Sequence, residues 1–133
     1  MQNSDGKSSL GLDANIVAGL CYVANLVCYL GIVLAIITLI TDKTNKLARF
    51  HAAQSLLLIA ANLVILLPGY FLSFALMAMG SSITSILGGL IALVVAVVGL
   101  AIFVFLVISC IKAFQGEIYK IPVIGNFADN FSN

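Results

Sequence analysis

Hydrocarbon side chains fill two long blocks of this chain, divided by one short polar connection. The first block, Ala14 to Thr41, holds 28 residues without a charge, and the second, Phe50 to Ile111, holds 62. A helix that crosses a bilayer needs roughly 20 apolar residues, because the hydrocarbon layer is about 30 Å thick and each residue rises about 1.5 Å. Together the blocks supply length for roughly three or four crossings. The pattern therefore predicts an all-α, polytopic integral membrane bundle.

The first block admits two readings. As one helix it is about 42 Å long and must tilt or kink, and composition alone slightly favours this form. Alternatively it folds back near Asn25 to Gly31, giving a hairpin with two arms of about 13 residues, each short of a full span. The bundle then has four helices, the first two short, instead of three long ones. Asp13 is placed to cap a helix starting at Ala14, its carboxylate accepting backbone N–H groups. After the polar connection DKTNKLAR, Asp42 to Arg49, a long helix is predicted from about Leu47 through Leu67. Pro68–Gly69 should kink or stop it, since proline lacks the N–H and crowds the preceding turn. Phe71 to Met79 then either continue the kinked helix or lie along the far membrane surface, with Tyr70 suited to the interface. Gly80 to Ser85 forms the far-side turn, and a last spanning helix covers about Ile86 to Ile111. Lys112 suits the last turn of that helix, and Gly116 is a natural C-cap.

Composition strengthens the membrane reading. Of 133 residues, 62% are hydrophobic and only 8% charged, against about 25% charged in soluble domains. A net charge of +1 leaves no basic tract for nucleic acid and no polybasic lipid-binding cluster. Lys43, Lys46, Arg49, Lys112 and Lys120 fall on one side of the two later crossings, and the opposite turn is uncharged. The positive-inside rule puts the loop 42–49 and the C-terminus in the cytoplasm, in the cell (inner) membrane. The N-terminus is then outside if the first block crosses once, and inside if it is a hairpin. The start shows no basic region followed by a cleavage site, so the first helix is expected to be retained. Residues 1–13 read as a polar tail, 14–115 as the transmembrane bundle, and 116–133 as a cytoplasmic or interfacial segment. Cys21, Cys28 and Cys110 all lie in apolar runs, and Cys21 and Cys28 would share a helix face; packing suits them better than bonding.

Candidate chemistry is concentrated at one place. In "LARFHAAQS", Leu47 to Ser55, the only histidine lies beside the only arginine. On a helix, His51, Ser55 and Asn62 point within about 40° of one another, with Gln54 about 60° to the other side. Polar side chains in a membrane helix face protein, because lipid offers them no partner; Arg49 at the boundary can snorkel to phosphate headgroups. This stripe could line a polar path, hold a headgroup or peptide, or use His51 to ligate a pigment or metal. The plainer reading is that it knits helices together by hydrogen bonds of about 0.6 to 2 kcal/mol each. On the last helix Gly88, Ala92, Ala96 and Gly99 form a small-residue stripe, spread over roughly 80°, that lets another helix approach closely.

Two segments carry a family resemblance. "RFHAAQSLLL" (Arg49 to Leu58) and "IKAFQGEIYKIPVIGNFAD" (Ile111 to Asp129), with "LDANIVAGLCYV" near the start, resemble chloroplast import translocon proteins of the Tic-twenty kind and small bacterial relatives, including magnetosome MamF-like proteins. The resemblance covers about Leu12 to Asp129. It implies a four-helix membrane unit with both termini on the cytoplasmic or stromal side, which favours the hairpin. It also implies membership, in the plastid proteins, of a protein-conducting translocon. This chain lacks the long loop between the first two helices of those members, and the family pattern carries no catalytic residues.

Three functions follow in order of support. The first is a non-enzymatic accessory or scaffold subunit, packing against other membrane proteins or copies of itself. The second is a pore or protein-translocation component. The third is a pigment- or lipid-binding subunit using His51. Paired carboxylates, nucleophile–base pairs and metal clusters are missing from the pattern, so neither an enzyme nor a metal or cofactor is expected. The apolar C-terminal stretch Ile121, Val123, Ile124 and Phe127 is expected to pack on the membrane surface, with Tyr119 and Lys120 as anchors.

Overall fold

The structure, a computed structural model, describes residues 6–27 and 29–132. Among them are five helices: α1 (Ala14–Leu26), α2 (Leu30–Thr41), α3 (Lys46–Ala78), α4 (Ser82–Phe114) and α5 (Ile124–Ser132). The first apolar block is therefore a hairpin and not one long helix. Helix α1 has 13 residues and α2 has 12, about 20 and 18 Å at 1.5 Å per residue, too short to cross the hydrocarbon layer. With 33 residues each, α3 and α4 are long and apolar enough to cross it.

The hairpin breaks where the backbone leaves the helical region. Val27 is extended, at φ −111° and ψ 94°, and Tyr29 is left-handed, at φ 56° and ψ 19°. Glycine makes the return possible: a Cβ on Gly31 would sit 2.0 Å from Asn25 Oδ1 and 2.6 Å from the Cys21 carbonyl oxygen. No larger residue lets α2 pass α1 so closely. Cys28 lies outside the described residues, and so does the expectation that it shares a face with Cys21.

Two compact units separate. One comprises Met1–Leu58 together with Phe105–Asn133, and the other Ile59–Val104. In the first, Ala14, Val17, Ala18 and Tyr22 of α1 meet Leu47 and Ala48 of α3 and Ala113 of α4. A second cluster joins Cys21 of α1, Ala35 of α2 and Ala52 of α3. Alanine dominates these seams because, in lipid, close backbone approach supplies the attraction that water expulsion supplies elsewhere. Helix α5 lays Ala128 against Phe50 and Ala53 of α3, with Gly125 and Ser132 also buried.

Several local expectations change. Asp13 occupies the N-cap position of α1, but its side chain makes no cap hydrogen bond. Instead residues 6–13 loop back, Lys7 pairing with Asp13, and the Gly6 carbonyl accepts the Ala14 N–H at 3.0 Å. This stretch of the expected solvated tail is thus folded. Pro68 neither stops nor bounds α3, which runs through it to Ala78. The C-terminal segment forms a helix after Val123, which takes the left-handed φ of 68°.

In the second unit, α3 and α4 form a helical hairpin around the turn at Gly80, φ +74°. Ser73 Oγ donates to the Gly88 carbonyl at 2.7 Å. Around this seam the large apolar side chains point outward: Val64 is 72% exposed, Phe71 74% and Ile83 71%. Water would penalise that arrangement, and lipid does not.

Candidate functional site

The first turns of α3 project three polar side chains into the interior of the first unit. His51, Gln54 and Ser55 are fully buried. His51 Nε2 lies 2.8 Å from the Glu117 carbonyl oxygen, and a carbonyl can only accept, so Nε2 carries the proton. In the neutral ring, Nδ1 then accepts from the Tyr22 hydroxyl, 3.0 Å away. Gln54 Nε2 donates to the Tyr22 oxygen at 3.0 Å and to the Tyr119 carbonyl at 3.0 Å, with Ser109 Oγ at 3.4 Å. Gln54 Oε1 accepts the Ile121 N–H at 3.2 Å. Edge-on contacts from Tyr22 and Phe50 wedge the imidazole, with ring centroids 5.6 and 5.3 Å away.

The purpose of this network is visible in its acceptors and donors. Residues 117–121 run without regular structure between α4 and α5, and three of their backbone groups, the buried Ile121 N–H and the part-buried Glu117 and Tyr119 carbonyls, lose their mates without His51 and Gln54. A buried unpaired peptide group costs roughly 1–3 kcal/mol. The two α3 side chains act as a substitute strand. Glycine begins the same segment: Gly116, at φ +76°, ends α4 with its N–H on the Ala113 carbonyl and the Glu117 N–H on the Lys112 carbonyl. That crossed pair is the Schellman closure, which turns the chain back toward α3.

Arg49 plays a matching part at the end of the unit. It was expected to reach for headgroups; its guanidinium instead bonds four carbonyls. Nη1 donates to Leu39 O at 2.9 Å and Asp42 O at 3.2 Å. Nε donates to Ser132 O at 3.2 Å, and Nη2 to Phe131 O at 3.3 Å. These are the orphan carbonyls at the ends of α2 and α5, where a cation also meets the negative end of each helix dipole. Beside it Asn45 caps α3, Oδ1 accepting the Ala48 N–H at 3.3 Å, and Asp42 Oδ1 accepts the Asn45 N–H at 3.2 Å. Asp42 Oδ2 and Asn45 Nδ2 are buried with no hydrogen-bond partner among the described residues.

The remaining expected residues divide. Ser55 spends its hydroxyl on its own helix, donating to the Ala52 carbonyl at 2.9 Å. Asn62, expected to face the interior with His51, is exposed, a correction: it belongs to the second compact unit and not, with His51, to the first. Of the small-residue stripe, Gly88 abuts the Ser73 carbonyl and Met77, and Gly99 abuts Leu66. Ala92 is half-buried and Ala96 exposed. Val95 is the buried residue between them, and it packs into the notch of Gly69, where a Cβ would come within 2.5 Å of it. The sequence reading missed Tyr22, Ser109, Gly69 and Val95. Tyr22 and Ser109 are polar residues inside apolar helices, a signal that was available. Cys21 and Cys110 are free thiols.

Short hairpin, two long apolar helices and an internally satisfied polar network define a small polytopic membrane protein. The chain belongs to the magnetosome magnetite crystal formation protein family (MamF/MmsF), whose family model matches residues 13–128. It is similar to a UPF0132 membrane protein of Methanocaldococcus jannaschii, 33% identical over 127 residues that cover 96% of each chain. A second UPF0132 membrane protein of that archaeon is 31% identical over 123 residues, covering 92% of this chain and 73% of its own. One from Archaeoglobus fulgidus is 26% identical over 115 residues, covering 86% and 91%. No solved structure matches.

Proposed function

We propose that this chain is a non-enzymatic scaffold or accessory subunit that packs against other membrane proteins, with its loop 42–49 and C-terminus in the cytoplasm. One observation carries the reading: the strongest polar groups of α3 are consumed in holding the chain's own segment 117–121. A site built for a ligand keeps donors or acceptors aimed at open space, and here both ring nitrogens of His51 are engaged by protein. Pigment or metal ligation by His51 would have to break one of those bonds. A conducting role of the Tic-twenty kind would need polar groups facing a path, whereas these face one another.

The description of the family brings magnetite crystal formation into consideration. In such a setting a protein of this kind organises the membrane face.

The test is purification in mild detergent, identification of what co-purifies, and conductance measurement in planar bilayers. A stoichiometric membrane protein and silent bilayers are expected. Reproducible conductance that disappears in His51→Leu would replace this reading with the pore.

A further inference from the structure

Helix α5 divides its circumference among three surroundings. At about 100° per residue, Gly125, Ala128 and Ser132 share one sector of about 60°. All three are buried, and Ala128 meets Phe50 and Ala53 of α3. Phe127 and Phe131, about one turn apart, occupy the next sector, and they are 56% and 60% exposed. Further round, Asn126 and Asn130 are also exposed, and beyond them Asp129 accepts from Lys120. A helix between protein and water needs two sectors. The aromatic pair is a third, and water penalises it.

The level of α5 shows what the third sector meets. The 33 residues of α3 span about 50 Å, about 20 Å more than the hydrocarbon layer, which leaves about 10 Å beyond each boundary when the excess is shared evenly. Phe50 and Ala53 lie about 6 and 10 Å along the helix from Lys46, so α5 rests on α3 at the boundary. Its apolar edge also adjoins a surface already turned to lipid. Leu39 of α2 packs on the same cluster of Phe50, Ala53 and Ala128, and Arg49 joins the Leu39 carbonyl to those of Phe131 and Ser132. Beside Leu39, Ile36, Ile37 and Ile40 are exposed. Two cations, Arg49 and Lys120, bond α5 against its single acid, Asp129, a balance that suits anionic headgroups.

We propose that α5 is an in-plane membrane anchor in the leaflet on the side of loop 42–49. Phe127 and Phe131 sink about 5–10 Å into the boundary between headgroups and acyl chains, while Asn126 and Asn130 stay in water. Of the stretch expected on the membrane surface, Ile121 is instead buried, and Phe131 joins Phe127 there. The inference goes beyond the scaffold reading and does not rest on it.

The chain has no tryptophan, so single-tryptophan variants of the full protein report depth cleanly. In proteoliposomes of phosphatidylcholine and phosphatidylglycerol, Phe127→Trp and Phe131→Trp should be quenched by lipids brominated near the top of their acyl chains, losing about half their emission. They should resist iodide supplied on both sides of the membrane. Asn130→Trp should show the reverse. Circular dichroism checks the fold of each variant, and either aromatic position alone decides the question. Iodide quenching at 127 or 131 equal to that at 130 puts the edge in water. Protection there from both quenchers puts it under a second copy of the chain. Either result overturns the proposal.

Discussion

At the scale of the residue, the decisive fact is that the polar atoms of His51 and Gln54 have assigned mates, so each substitution there has a countable cost. Gln54→Leu strands the Ile121 N–H and the Tyr119 carbonyl, and at roughly 1–3 kcal/mol for each orphaned group the loss is several kcal/mol. Thermal melting in detergent followed by circular dichroism should show a large drop in midpoint. Tyr22→Phe removes a donor to His51 and an acceptor for Gln54 but leaves the segment 117–121 held, so its drop should be clearly smaller. A larger drop for Tyr22→Phe would mean that the network serves the hydroxyl and not the backbone. His51, Gln54 and Arg49 were legible in the sequence because polar groups stand out in an apolar run. Their mates were not legible, since most are main-chain carbonyls and amides that carry no residue signature. Asn62 shows the limit from the other side: helical periodicity gives a direction, and only the fold gives a neighbour.

At the scale of the element, glycine and one ion pair set the joints. Gly31→Ala would drive a methyl into Asn25 and the Cys21 carbonyl, and because one neighbour is backbone the hairpin cannot yield cheaply. Overpacking of this kind costs about 1–3 kcal/mol, and faster proteolysis around Val27 to Leu30 is the expected readout. Lys120 donates to Asp129 in α5, and that hydrogen bond holds the Asp129 carboxyl below its usual value. A depressed carboxylate contributes stability above its unfolded value and loses it as pH falls through the lowered one. Hydrogen exchange of α5 should therefore quicken on acidification below the ordinary carboxylate range, and Lys120→Met should abolish the pH dependence. The hairpin was one of two readings of its 28-residue block: composition slightly favoured a single helix, and the family resemblance favoured the hairpin. Helix α5 was not foreseen, because nine residues with two glycine or serine positions at its ends resemble a loop. Pro68 left two readings, a stop or a helix continuing through Phe71 to Met79, and α3 takes the second, running through it to Ala78.

At the scale of the whole molecule, the count of crossings fixes which sides are equivalent. Helices α1 and α2 are too short to span, and α3 and α4 are long enough, so the N-terminus, the loop 42–49 and the C-terminus should share one face. A cysteine engineered between residues 3 and 8, in a chain without its native thiols, should resist a membrane-impermeant reagent in intact cells and react in inverted vesicles. Labelling from outside intact cells would show that the α1–α2 hairpin crosses the membrane an odd number of times. Membership of the MamF/MmsF family extends the same expectation to the archaeal relatives, which align over most of this chain.

The grip of Arg49 on the last carbonyls of α5 has a practical corollary for anyone who wishes to watch this protein in cells. Phe131 and Ser132 are held by that guanidinium, so a fluorescent reporter spliced directly behind them would tug on the same contacts that tether α2. Reporters belong at the opposite end of the polypeptide, or behind a generous glycine–serine spacer.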